Sequence, residues 1–188
     1  MASQQDHVLV PHQGRMAPDG ITPLRFRQDM AWVCPDNHGD LPPYILIRRS
    51  SDPTHTPRDL HWMIVWAIKR DEDVWRVIHV VQERAVGAEI ANDYLSNPHP
   101  RTHFLQPDTV TQGRLVGLAT LTRPQRQLVE QIVCEHPVRA PDGRWNCQDF
   151  IEEVLERAIA ADIIDRHSVQ SALADARRGF EVNSCMLP

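Results

Sequence analysis

Residues 145–150 (Trp-Asn-Cys-Gln-Asp-Phe) place a cysteine where a helix is expected to begin. Asn146 is a favourable N-cap, and Asp149 three residues later completes a capping-box pattern. Cys147 would then lie in the first helical turn, where unpaired backbone N–H groups and the helix dipole favour a thiolate. The pattern predicts a nucleophilic thiol, although a small buried side chain is the competing interpretation.

A cysteine nucleophile also needs a general base that a third group holds in place. Among the ten histidines, His61 and His79 are distinctive because each lies inside an apolar, strand-like run. The runs 60–68 and 74–82 are separated by a polar turn, which predicts an antiparallel hairpin. The hairpin could bring both imidazoles together, but only the register decides whether they share a face.

The remaining chemistry-bearing residues form weaker patterns. Cys34, Cys134 and Cys185 are widely separated and are expected to be thiols. Cys134 and His136 are too close in sequence for the usual zinc-ligand pair, and no second pair accompanies them. There is no glycine-rich phosphate loop and no Gly-x-Ser-x-Gly motif, so no metal or cofactor is predicted.

The period of the apolar residues predicts an α+β fold, with a small antiparallel sheet packed against helices. The expected domain boundaries are a flexible arm over residues 1–20, one domain over 21–180 and a flexible tail over 181–188. Helices are expected after the Thr122 N-cap to about His136, from Asn146 onward, and over 168–178 before Gly179. The predicted strands cover residues 23–27, 30–34, 44–48, 60–68, 74–82, 102–106 and 113–118.

Composition narrows the classes of partner. The formal net charge is -5, and the 20 lysines and arginines form no basic stripe, so nucleic acid is not an expected partner. No apolar run is long enough for a membrane helix and no signal-peptide pattern is present, which favours a cytoplasmic protein. The expected partner is a small-molecule, peptide or acyl substrate, and the oligomeric state is open.

Two short motifs resemble those of circularly permuted papain-like proteins. Residues 146–151 (Asn-Cys-Gln-Asp-Phe-Ile) resemble the Asn-Cys-Glu-His-Phe-Val motif of lecithin:retinol acyltransferase-like proteins and the Asp-Cys-Ser-x-Phe-Val motif of NlpC/P60 peptidases. Residues 61–65 (His-Trp-Met-Ile-Val) resemble the acyltransferase-like His-Trp-Ala-Ile-Tyr strand. The histidine strand precedes the cysteine helix, as in that permuted branch and in PPPDE deubiquitinase-like proteins. The Trp-Asn-Cys-Gln-Asp stretch is also similar to a group of uncharacterised fungal proteins.

The resemblance implies a permuted papain-like fold and a thiol-dependent acyl-transfer enzyme, a hydrolase or a transferase, that forms a thioester. Cys147 would be the nucleophile, His61 the base and His79 the residue that orients it. The resemblance leaves the substrate open, because Gln148 and Asp149 replace the Glu-His pair of the acyltransferase-like motif.

The oxyanion is expected to bind backbone N–H groups at Cys147 and Gln148, with the side chains of Gln148 and Asn146 as further donors. Trp62 and Trp145 either pack in the core or line an apolar substrate cleft. The alternatives are a non-catalytic binding or assembly protein on the same fold, and a small-molecule biosynthetic cyclase or transferase.

Overall fold

The computed structural model describes residues 8–9, 29–83, 94–96, 99–139 and 143–180. The predicted tail, most of the predicted arm and the predicted strand over 23–27 lie outside these residues. Two residues of the predicted arm, Val8–Leu9 (β1), form a strand that pairs with Val138–Arg139 (β9).

A five-stranded antiparallel sheet forms the centre of the described fold. The strands are β2 (Tyr44–Ile47), β3 (Trp62–Lys69), β4 (Val74–Ile78), β7 (Arg101–Phe104) and β8 (Arg114–Gly117). Their order across the sheet is β7-β4-β3-β2-β8. Two further strands, β5 (Val81–Glu83) and β6 (Tyr94–Ser96), pair with each other outside this sheet.

The helices confirm the capping predictions. The described helices are α1 (Pro107–Thr111), α2 (Arg123–Glu135), α3 (Cys147–Ala160) and α4 (Arg166–Ala176). Thr122 and Asn146 cap α2 and α3, and each cap forms a complete capping box with the residue three positions later. The last helix begins two residues earlier than predicted, at Arg166, because Asp165 caps it through the N–H of Ser168.

Side chains that alternate along the strands build two apolar layers. Trp62, Ile64 and Trp66 of β3 pack with Ile45 and the helices. The opposite face carries a smaller cluster with Met63, Val65, Trp75 and Val77. Even-numbered residues of β3 and β4 therefore face the helices, and odd-numbered residues face away.

The predicted strand over 30–34 is wrong, because this segment is a turn. The N–H groups of Val33 and Cys34 both donate to the carbonyl of Met30. Asp29 Oδ1 accepts the N–H of Ala31, so a local side-chain bond competes with strand pairing. Trp32 is 79% exposed, which shows that the apolar run buries little.

The predicted strand over 74–82 divides into two. Residues 74–78 pair with β3 as expected, but Val81 to Glu83 pair with Tyr94 to Ser96 instead. His79 lies between the two strands, immediately after β4 ends. The hairpin is therefore confirmed, and it is open at the end that contains His61.

Among the described residues, no helix has both the length and the apolar character needed to cross a membrane.

Candidate active site

Cys147 is the first residue of α3 and packs against the start of β3. Asn146 Oδ1 accepts the N–H of Gln148 at 2.8 Å, and Asp149 Oδ2 accepts the N–H of Asn146 at 2.8 Å. These two bonds hold the first turn in a fixed orientation. The thiol is directed into the sheet and is covered, because Cys147 is only 8% exposed.

The Sγ atom of Cys147 contacts the peptide groups on both sides of His61. The N–H of Trp62 donates to Sγ at 3.4 Å, and Sγ lies 4.0 Å from the carbonyl oxygen of Leu60. The thiol is therefore adjacent to His61 along the strand.

The break after β4 explains why this N–H of Trp62 is available. Arg48 N donates to the carbonyl of His61, so the peptide N–H and C=O groups of His61 face β2. In an antiparallel strand the next residue points the other way, and Trp62 therefore faces the side on which β4 pairs. Pairing between β3 and β4 ends at Ile64 and Ile78, and Cys147 supplies the acceptor that β4 does not.

The same open end holds the two histidines together. His61 Nε2 lies 3.0 Å from His79 Nδ1, within hydrogen-bond distance. Because Ile64 pairs with Ile78, His79 lies opposite Met63 and diagonal to His61 on the same face. The register thus shows that His61 and His79 lie on one face of the hairpin, and the two half-buried imidazoles form a pair.

His61 bonds to His79 through Nε2, the ring nitrogen farther from the backbone. This leaves its Nδ1 without a hydrogen bond among the described residues. Nδ1 is the ring nitrogen nearer the backbone, and the thiol lies against the backbone on both sides of His61. The thiol approaches from the helix side of the opening, and the imidazole pair lies on the other face. Among the described residues, no hydrogen bond joins Sγ to either imidazole, and the contacts of Sγ near His61 are to the backbone.

The thiol of Cys147 and the imidazoles of His61 and His79 are neutral in the resting site. Burial, and secondarily the charge of Arg48, lowers the pKa of His61 from 6.5 to about 4. Burial, and then the charge of His61, holds the pKa of His79 well below its usual value. Burial also raises the pKa of the Cys147 thiol, although the N–H groups of Trp62 and of Cys147 itself oppose this effect. At neutral pH the site therefore holds a protonated thiol and two neutral imidazoles.

Gln148 and Asn146 have structural roles that leave little for a substrate. Gln148 is 3% exposed, and its Nε2 donates to the carbonyls of Pro57, Arg58 and Leu60 at 2.8, 3.1 and 2.9 Å. The Oδ1 of Asn146 caps the helix, and its Nδ2 donates to Arg58 O at 3.2 Å. The backbone N–H of Gln148 is also used by the cap, so of the two backbone N–H groups predicted to bind an oxyanion, the N–H of Cys147 is the one that the Asn146 side chain does not bond.

Trp62 and Trp145 pack in the core. They are 0% and 7% exposed, respectively. Trp145 Nε1 donates to Glu153 Oε1 at 3.1 Å, and its ring stands edge-on to Phe150. These residues support the sheet and α3 and do not line a cleft.

Arg58 and Arg48 lie beside the site, and the sequence gives little indication of this. Arg58 donates to the carboxylate of Asp149 and, at 2.7 Å, to the carbonyl of Arg144, and its charge favours the Cys147 thiolate. Arg48 is the cross-strand neighbour of His61 and disfavours its protonation. The Thr56 to Asp59 capping box marks the turn that carries Arg58, but only the folded chain shows where this turn docks.

In the described part of the chain, no group of three or more His, Cys, Asp or Glu side chains is arranged to hold a metal ion.

No family model, curated protein or solved structure matches the chain.

Proposed function

We propose that this chain is a thiol-dependent acyl-transfer enzyme with a permuted papain-like arrangement. Cys147 is the nucleophile, His61 is the general base, and His79 positions the imidazole of His61. The observation that carries the proposal is the open end of the hairpin. There Sγ lies against both peptide groups that flank His61, while His79 holds the far nitrogen of His61.

The hydrogen bond between the histidines can form with either ring as the donor, and the reaction uses the form in which His61 Nε2–H donates. When His61 Nε2–H donates to His79 Nδ1, the lone pair of His61 Nδ1 can accept the thiol proton. His79 thereby acts through His61 and touches no reacting atom.

The reaction proceeds by acyl transfer to sulfur. Nδ1 takes the proton from Sγ as sulfur attacks an ester or amide carbonyl, and the N–H of Cys147 stabilises the oxyanion. The imidazolium returns the proton to the departing alcohol or amine, which leaves a thioester on Cys147. Water or an amine then attacks the thioester with His61 as base, and the thiol is restored. Because both groups are neutral at rest, proton transfer accompanies the attack.

A non-catalytic binding or assembly protein is the second candidate. The 8% exposure of Cys147 and its raised thiol pKa favour this alternative, because a resting thiolate is what most increases cysteine reactivity.

Trapping of the acyl-enzyme separates these candidates. Incubation with p-nitrophenyl acetate, followed by peptide mass spectrometry, should place an acetyl group on Cys147 that hydroxylamine removes. Cys147→Ala should lose this adduct, and Cys134→Ala should retain it. Acetylation of Cys134 at a higher rate than Cys147 would overturn the assignment of the nucleophile.

His79→Gln provides the test of the positioning role. A glutamine amide oxygen can accept from His61 Nε2–H, so His79→Gln should keep more acylation than His79→Ala and should show an altered pH profile. Equal rates and unchanged pH profiles in both variants would exclude positioning by His79.

A further inference from the structure

A pocket of about 320 Å³ adjoins the site and carries an unusual charge distribution. Its apolar walls include Pro57, Leu60 and Phe180. Leu60 also contributes the carbonyl that lies 4.0 Å from Cys147 Sγ, and the carbonyl of Pro57 accepts from Gln148. The segment 57–60 is thus a wall shared by the pocket and the candidate active site.

Two guanidinium groups line the pocket. Arg49 stacks over Phe180, with Cζ 4.6 Å from the ring centroid, and it forms no ion pair with any residue that the structure describes. The aromatic ring covers one side of the exposed guanidinium. A guanidinium without an ion pair among the described residues suits bidentate recognition of a carboxylate or phosphate.

The surrounding charges preserve this positive character. Arg178 also lines the pocket and shares the carboxylate of Asp175 with Arg114. Asp52 is the acidic residue in the lining, and its carboxylate oxygens face Thr54 and His55. The carboxylate of Asp175 is therefore shared by two arginines, and the carboxylate of Asp52 is engaged within its own loop.

We infer that this pocket binds the anionic group of the acyl donor, a carboxylate or phosphate attached to an apolar body. This inference rests on the proposed function, because it assigns the pocket to the substrate of Cys147. Arg49 supplies the recognition contact, and Leu60, Pro57 and Phe180 contact the apolar body. Because segment 57–60 contacts both the pocket and Cys147, a substrate that reaches from one to the other would carry its anionic group at one end and its reacting carbonyl at the other.

Calorimetric titration with phenyl phosphate, benzoate and phenol tests the anion site by itself. Wild type and Cys147→Ala should both bind phenyl phosphate or benzoate, and neither should bind phenol. Binding of one anion and not the other identifies the group. Failure of both anions to bind would overturn the inference and leave the acyl-trapping result untouched.

Matched arginine variants locate the site. Arg49→Gln removes one exposed charge and should weaken binding by about tenfold. Arg70→Gln removes the same charge from the turn between β3 and β4, at the far end of the hairpin, and should leave binding unchanged. Equal weakening in the two variants would show non-specific attraction and contradict the assignment.

Protection of the thiol tests whether the two sites serve one substrate. The bound anion should slow iodoacetamide labelling of Cys147 in wild type and should not do so in Arg49→Gln. Binding without protection would contradict a common substrate, even where Cys147 is independently shown to form an acyl-enzyme.

Discussion

Cys134 and Cys147 lie at opposite kinds of helix end, and each has a histidine nearby. Cys134 is near the C-terminus of α2, and its Sγ lies 3.5 Å from His99 Nδ1. Cys147 is at the N-terminus of α3 and makes backbone contacts on both sides of His61. The sulfur–imidazole contact at Cys134 therefore lies at the helix end whose dipole opposes a thiolate, whereas the contacts of Cys147 Sγ are to backbone groups.

This difference shows that contact with a histidine is a weak criterion for a nucleophile. His99 is exposed and lies outside the sheet, whereas His61 is held by His79 at 3.0 Å within the hairpin. The capped helix start and the oriented imidazole distinguish Cys147.

Acid should destabilise the fold through His61. Its pKa is 6.5 unfolded and about 4 folded, so unfolding takes up a proton between these values. The stability contribution is complete above the unfolded value and is lost as the pH falls toward the folded value. Its size is up to about 3 kcal/mol, at about 1.4 kcal/mol per pKa unit.

Urea unfolding of wild type and His61→Gln across this range provides the measurement. The pH dependence of the free energy of unfolding should be weaker in His61→Gln. His167→Gln, a change at an exposed histidine of α4, is the matched control. Parallel curves for wild type and His61→Gln would contradict a buried, neutral imidazole.

Gln148→Ala should lower the free energy of unfolding by about 2 kcal/mol, because three buried carbonyl contacts lose their donor. Gln131→Ala is the matched control three residues before Cys134, where the amide bonds, among the described residues, only to the exposed Glu135. That change should cost less than about 0.5 kcal/mol. Similar losses in urea unfolding would show that Gln148 does not dock the segment 57–60.

The capping residues Asn146 and Thr122 provide a pair of variants that should differ in the labelling of Cys147 and not in stability. Asn146→Ala and Thr122→Ala should each cost about 1 kcal/mol, since each removes a side-chain cap. Only Asn146→Ala should also slow iodoacetamide labelling of Cys147. If Thr122→Ala slowed labelling equally, the effect would reflect general destabilisation.

His99→Gln should have the smallest effect. The contact with Cys134 is exposed, so the free energy of unfolding should change by less than about 0.5 kcal/mol. Labelling of Cys147 should not change. A large loss of Cys147 labelling in His99→Gln would remove the distinction between the two cysteines.

The sequence predicts the local features well. Asn146, Asp149 and Thr122 identify their helix starts because capping depends on residues three positions apart. The hairpin follows from two strand-like runs joined by a short polar turn.

Longer-range features could not be predicted in the same way. The break after Ile78 depends on β5 pairing with β6, and the apolar run through Val80 and Val81 gives no signal of it. The register that places His61 and His79 on one face is a property of the paired strands. Gln148 was expected to serve the oxyanion, but its role depends on the docking of Pro57 to Leu60 from a distant part of the chain.

The most direct test of the central claim is the rate of iodoacetamide labelling of Cys147 near neutral pH in wild type and His61→Gln. Removal of the general base should lower this rate by about 100-fold, while the rate at Cys134 in the same samples stays constant. Equal Cys147 rates in the two proteins would contradict His61 as the base.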